Sequence, residues 1–322
     1  MKYKNKIMKV ITIFTMLFAF VGVSHAAKYK IGVSVPAADH GWTAGLLWWA
    51  NKAVKELEAK EKDIEFYVVA ASSGSKQVGD VEDLMIRGLD ALVILPHNPA
   101  TLQKIIEEAY KENIYTVVVD RELAKPTQDV FIAGDNAGLG RVSGKWLANE
   151  MSGKGDIVVI EGLQIPINKQ RVDAFNEVMA ANPGIKILDS QPGDWSTQKA
   201  LAVMENFLQK HPKIDAVWCQ DDDMLKGVLK AIEESGRTDI KTVLGGAGSK
   251  DIIELIQSGN KLVRATVTYS PSMIASGIAL AVHGVKKEQL GYLYHTPSRV
   301  ILGADLVTQE NAADYYFQDA AY

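Results

Sequence analysis

The chain has one cysteine, Cys219, in 322 residues. No disulfide can form within it, and there is no cysteine pair around which to build a thiolate zinc site. H-E-x-x-H and G-x-S-x-G are both missing, which removes the simplest metalloprotease and serine-hydrolase readings. GLGRVSGKW (138–146) is glycine-rich, but Leu139 stands where a phosphate loop needs its first glycine and Trp146 where it needs Ser or Thr. GGAG (245–248) lacks the spacing of a dinucleotide fingerprint. The aspartate run 221–223 is not a calcium loop, because counting from Asp221 puts Lys226 at the glycine position and Ile232 at the terminal carboxylate. Nothing here asks for a cofactor or a metal ion, and an enzyme is disfavoured.

Basic excess is lacking as well. With 35 Lys and Arg against 39 Asp and Glu, the formal charge is −4, so a nucleic-acid partner is not expected. Long apolar runs are absent except near the start, where Lys2, Lys4, Lys6 and Lys9 precede Val10 to Val23 and then Ser24-His25-Ala26. That run is about 14 residues, short of the roughly 20 a spanning helix needs. Residues 1–26 therefore read as a secretory signal peptide cut after Ala26. Its removal takes four lysines and no acid, which moves the formal charge from −4 to −8. With no cysteine at the cleavage site to carry a lipid, the mature chain is expected free in the periplasm, as a monomer.

What is present is an alternation of β-rich runs with longer amphipathic stretches, the pattern of parallel βαβ units. Strands are expected at 29–35, 64–70, 91–95 and 116–120, then at 156–162, 185–190, 216–220, 242–246 and 264–268. Helices are expected between them, for example at 43–59, 101–112, 197–210 and 224–235. The fold class is α/β, with two doubly wound parallel-sheet domains. The amino-terminal domain takes 27–133 plus 270–299, and the carboxy-terminal one 134–269 plus 300–322. No long linker separates them, so short crossings are expected to act as hinges.

Open α/β sheets hold ligands beyond the carboxyl ends of their strands, and there the sequence is polar and aromatic. PAADHGW carries Asp39, His40 and Trp42; TVVVDRE ends in Asp120 and Arg121; QIPINKQR carries Asn168 and Arg171. Trp195 follows in QPGDW, Asp221 to Asp223 in QDDDM, and Tyr269 after the last strand. Aromatic faces, carboxylates and guanidinium forks suit a polyhydroxylated molecule, whose C–H faces pack on rings while its hydroxyls donate and accept. One of Asp221–Asp223 is expected to cap the following helix, with Asp222 or Asp223 favoured. At least one of Trp48 and Trp49 belongs to the core, and His97 either touches ligand or packs at the crevice edge.

Taken together, YKIGVSV, VEDLMIRGLDALVILP, YTVVVDRE, FIAGDN, SQPGDW, AVWCQDDDMLKGVLKAI and RATVTYSP resemble the periplasmic sugar-binding proteins of ABC transporters, of the ribose-binding type. The resemblance spans essentially the whole mature chain. It implies the periplasmic binding protein type I fold, with three crossings, and capture of a sugar or polyol for an inner-membrane permease and its ATPase. By the same resemblance Asp120 and Arg121 clamp ligand hydroxyls, Trp42 and Trp195 stack, and Arg171 and Asp221 complete the second wall. Asp39 or His40 lies near a further polar position, and Tyr269 falls where ribose-type members carry glutamine. One departure bears on the ligand: GGAGSKD places Ala247 where the family usually has an aspartate. Two sugar hydroxyls would lose their acceptor, at roughly 1–3 kcal/mol each, which favours a cyclitol such as myo-inositol over a pentose or hexose. A sensory module of the same fold is the second reading. A repressor of this fold would need a helix-turn-helix of about 50–60 residues where the export segment stands.

Overall fold

The structure is a computed structural model, and it describes residues 28–287 and 295–322. The expected export segment lies outside the described residues. The chain begins β1 (Tyr29–Pro36), α1 (Gly41–Lys60), β2 (Ile64–Ala71), α2 (Gly74–Ile86), β3 (Ala91–Ile94), α3 (Pro99–Lys111), β4 (Tyr115–Val119) and β5 (Val130–Gly134). It continues α4 (Asn136–Glu150), β6 (Lys154–Glu161), α5 (Pro166–Ala180), β7 (Gly184–Pro192), α6 (Thr197–Lys210) and β8 (Ala216–Cys219). Next come α7 (Asp222–Ser235), β9 (Thr242–Leu244), α8 (Lys250–Gln257) and β10 (Ala265–Val267). The described elements end with α9 (Met273–Val285), β11 (Arg299–Leu302), β12 (Leu306–Thr308) and a 3₁₀ turn at Ala312–Tyr315.

Two parallel sheets form. The first has the order β11-β5-β4-β3-β1-β2 and the second β7-β6-β8-β9. β3, β4 and β8 are buried along their whole length, as strands covered by helices on both faces must be. The period of two then sorts their side chains. Val93, Val117 and Val119 point to the layer of α1 and α9, with Leu46, Ile274 and Ile278. Leu92, Ile94 and Val118 point the other way, to Val81, Leu102 and Ile106 of α2 and α3. In the second unit Ala216 and Trp218 face α4 and α5, while Val217 and Cys219 face α6 and α7.

Helix starts are set by local chemistry. Ser73, Asn98, Asp135 and Ser196 each accept a hydrogen bond from the backbone N–H three residues on, which satisfies a donor the helix itself leaves unpaired. Gly236, at φ 64°, ends α7 in the left-handed conformation that glycine adopts without strain.

The strand pairing revises the sequence reading at three places. Residues 130–134, not among the expected strands, form β5. The stretch around 264–268 does not join the second sheet as a full parallel strand. β10 pairs antiparallel with β12 and reaches the β9 region only through bridges at Val243–Val263 and Ala247–Thr268. Finally, β11 pairs with β5, so residues 299–302 belong to the first sheet.

The second unit is keyed by Phe175 and Trp218, whose rings stack with centroids 3.8 Å apart and planes 11° from parallel. Both are fully buried. Phe175→Ala is expected to destabilise folding by about 3–5 kcal/mol. Urea denaturation should show the midpoint fall with little change in slope, and a loss below about 1 kcal/mol would contradict the stack's structural role.

Candidate functional site

The carboxyl ends of both sheets meet around a small cavity. Of the residues singled out from sequence, His40, Trp42, Asp120, Arg121, Arg171, Trp195, Asp221 and Tyr269 all line it. Ala247 and Ile167 complete the wall. Ile167 had no polar signature to mark it in the sequence.

The first wall grows from the end of β4. Asp120 has φ 63°, a conformation uncommon outside glycine, and its carboxylate is 6% exposed. Oδ1 accepts from the Tyr269 hydroxyl at 2.6 Å, and Oδ2 stands 3.8 Å from Arg121 Nε. Arg121 is held from behind, where Nη1 donates to the carbonyls of His97 at 2.5 Å and Pro96 at 3.3 Å. Its Nε is buried with no hydrogen-bond partner. His97 thus contributes its carbonyl, and its ring is not in the lining. On α1, Trp42 Nε1 donates to the Tyr269 carbonyl at 2.8 Å. His40 reaches the wall, whereas Asp39 stays outside it. The side chain of Asp39 is 72% exposed and pairs with His40 Nδ1 at 2.5 Å.

The second wall is made by α5, α7 and two loops. Arg171 is buried; its Nε donates to Asn136 Oδ1 at 2.8 Å and its Nη1 to the Gln220 carbonyl at 3.3 Å. Its guanidinium lies 4.4 Å from the Tyr269 ring centre and 5.9 Å from that of Trp195, a cation–π arrangement. Asp194 and Trp195 both have positive φ, 54° and 58°. The indole packs so closely on Gly162 that a Cβ there would lie 2.2 Å from Nε1. Asn168 stands outside the lining, accepting from Gly162 N at 3.1 Å and donating to Glu161, so it shapes the loop that Trp195 rests on. Trp49 packs against the core and edge-on to Phe317, and neither it nor Trp48 lines the cavity.

The aspartate run departs from the sequence reading. The cap of α7 is Asp221, which accepts from Met224 N at 3.0 Å, rather than Asp222 or Asp223. Composition could not separate three candidates in a row; the register at which the helix leaves β8 does. Asp222, fully buried, accepts from Gly246 N at 2.8 Å, from Ser249 N at 2.7 Å and from the Thr266 hydroxyl at 3.1 Å. It therefore fixes the loop in which Ala247 sits at φ 85°. Asp120, Asp194, Trp195 and Ala247 are four of the six non-glycine residues with positive φ among the described residues. Such conformations collect at sites the surrounding structure over-determines.

Burial pushes the Tyr269 phenol well above its usual range, and the Asp120 charge beside it adds to that. The hydroxyl therefore remains a donor. Burial also raises Asp221 to about 6, helped by the charge of Asp223, and Asp222 to about 8, with Asp221 adding to the effect against its hydrogen bonds. Both folded values lie above the unfolded value of about 3.9. Their contribution to stability is fully present below about pH 4 and is lost as pH rises through about 6 and 8. The thermal midpoint should fall between pH 5 and pH 8.5, and Asp222→Asn should flatten the upper part of that fall. Identical pH profiles for the two proteins would refute the assignment to Asp222.

Comparison with known proteins agrees with this architecture. The family described as periplasmic binding protein domain matches residues 31–289. A ribose import binding protein of Bacillus subtilis (strain 168) is 30% identical over 249 residues, 77% of this chain and 78% of that protein. An ABC transporter solute binding protein from Bacillus halodurans C-125, solved with bound myo-inositol, superposes with a TM-score of 0.78 at 22% identity. That match covers 91% of this chain and 98% of the other. The fructose binding periplasmic domain of a hybrid two component system superposes at 0.77 with 26% identity, covering 89% and 92%. The chain belongs to the periplasmic binding protein family and has its type I fold. The members it matches bind solutes and are not enzymes, in keeping with the missing catalytic motifs.

Proposed function

We propose that this chain is a sugar-binding periplasmic protein of the ABC-transporter type, which captures a sugar or polyol between two α/β domains and delivers it to an inner-membrane permease with its ATPase. The first domain comprises 27–133 and the segment from 270 to the end of β11, and the second the remainder; the three crossings serve as hinges. The mature protein acts in the periplasm as a monomer without a lipid anchor, after cleavage at Ala26.

One observation carries the reading. Each charged group around the cavity has one edge occupied by protein and another left open. Asp120 Oδ1 accepts from Tyr269, Arg121 Nη1 donates to two carbonyls, Arg171 Nε and Nη1 donate to Asn136 and the Gln220 carbonyl, and Asp221 Oδ1 accepts from Met224 N. The remaining oxygens and N–H groups come from opposite walls and comprise two carboxylates and two guanidiniums. A neutral molecule with hydroxyls directed both ways satisfies them, since each hydroxyl donates and accepts. The aromatic faces of Trp42 and Trp195 cover its C–H surfaces.

A cyclitol such as myo-inositol is the favoured ligand. Ala247 brings no acceptor to the cavity wall, so a pose depending on a carboxylate there is disfavoured, while a ring with hydroxyls all round can use the two separated ones. The protein solved with bound myo-inositol shares the fold. Delivery of ligand occupancy to a membrane receptor is the second reading, supported by the likeness to the periplasmic domain of a two component system. Loss of uptake on gene deletion favours import, and loss of a ligand-induced response with uptake intact favours sensing.

A thermal-shift screen of the chain from Ala27 onward against cyclitols, sugar alcohols, pentoses and hexoses tests capture directly. Ligand at 100 times its dissociation constant should add about 2.7 kcal/mol of stability. Arg121→Ala should weaken the bound ligand by about 2 kcal/mol or more, as loss of a buried charge-assisted donor. Unchanged affinity in calorimetry would remove Arg121 from the site, and a pentose or hexose as sole ligand would overturn the cyclitol preference.

A further inference from the structure

α1 has no acidic residue in its first turn, although a helix start carries unpaired N–H groups and the positive end of the helix dipole. The missing carboxylate comes from the other unit. Asp223 Oδ2 accepts from Trp42 N at 3.2 Å, across 181 positions of sequence. This approach requires glycine at 41, because a Cβ there would lie 2.4 Å from Asp223 Oδ1 and 2.7 Å from Oδ2. Asp223 is 5% exposed. Beyond α1 its side chain pairs with Lys226 at 3.4 Å, and Lys226 is drawn closer to Asp251, at 2.9 Å. Neither Gly41 nor Asp223 lines the cavity, yet Trp42, between the two, does.

We propose that Asp223 is a positioning residue for capture: it receives the amino-terminal end of α1 when the crevice is closed, and so tightens binding of every ligand without touching any of them. The proposal rests on the capture reading. On closure, a carboxylate moves from water to a site where the Trp42 N–H and the end of α1 replace its solvent. On opening, the contact is broken and the start of α1 keeps only the exposed Asp39, whose Oδ1 accepts from the Thr43 hydroxyl. A closed state held partly by protein–protein contact binds more tightly whatever lies in the cavity, because apparent affinity scales with the fraction of protein able to close.

The test is a double-mutant cycle on binding, with Asp223→Ala, Gly41→Ala and the two combined, titrated with myo-inositol, D-ribose and D-allose. Gly41→Ala approaches the contact from the opposite side and deletes no buried polar group, which keeps the test open if Asp223→Ala folds poorly. Each single variant should weaken every ligand that the wild type binds by the same factor, about tenfold, mainly through faster dissociation. The double variant should be no weaker than Asp223→Ala alone within about twofold, since the added methyl then has no carboxylate to displace. Additive losses, a loss confined to one ligand, or wild-type affinity in Asp223→Ala would each overturn the proposal and leave capture standing. A wild-type protein that binds none of the three overturns the capture reading for these ligands, and this proposal with it.

Discussion

Three consecutive carboxylates cannot be buried at one helix end unless each has donors of its own, and that requirement organises the second unit. Asp221 turns back to cap α7, Asp222 ties down the loop after β9 and the side chain of Thr266 on β10, and Asp223 reaches the first unit. Removing any one set of donors would leave a buried carboxyl group unsatisfied, at a cost of about 1–3 kcal/mol. The loop carrying Ala247, the start of α7 and the end of α1 are therefore located by one short segment. Burial and the charge of Asp223 raise Asp221, and burial and the charge of Asp221 raise Asp222.

The same economy holds around the cavity. The Arg171 guanidinium lies over the Tyr269 ring, and the two are joined through Asn136, whose amide accepts from the arginine and donates to the phenol at 3.1 Å. The phenol in turn holds Asp120. This polar chain starts at Arg171 on α5, passes Tyr269 after β10 and ends at Asp120 after β4. Its members hold one another in place at the edge of the cavity. The strained backbone at Asp120 and Trp195 points the same way, since such conformations persist only where packing holds them.

Much of this was legible in the sequence, for identifiable reasons. Strands buried on both faces, such as β4, announce themselves as β-branched runs, and the polar residues directly after them fall on the cavity because parallel sheets place their ligands there. β11 is short and only partly buried, so nothing local assigns it to one sheet or the other; the pairing with β5 does. β10 and β12 depend on a partner some forty residues away. Asp39 and His40 look alike as polar loop residues, and only the turn into α1 decides that the imidazole faces inward. Asn136 and Gly41 carry no local signal, because their roles are defined by residues far along the chain. Register and long-range approach are tertiary properties that patterning alone does not encode.

The solitary Cys219 sits at the end of β8, wholly buried, with its thiol pushed well above its usual range by burial and by the charge of Asp221. A thiolate is the reactive form, so the native protein offers electrophilic dyes nothing to attack. Cysteines introduced singly on the surface of each unit can then be labelled without first making a cysteine-free background. Modification at position 219 reports on molecules in which the end of β8 has opened.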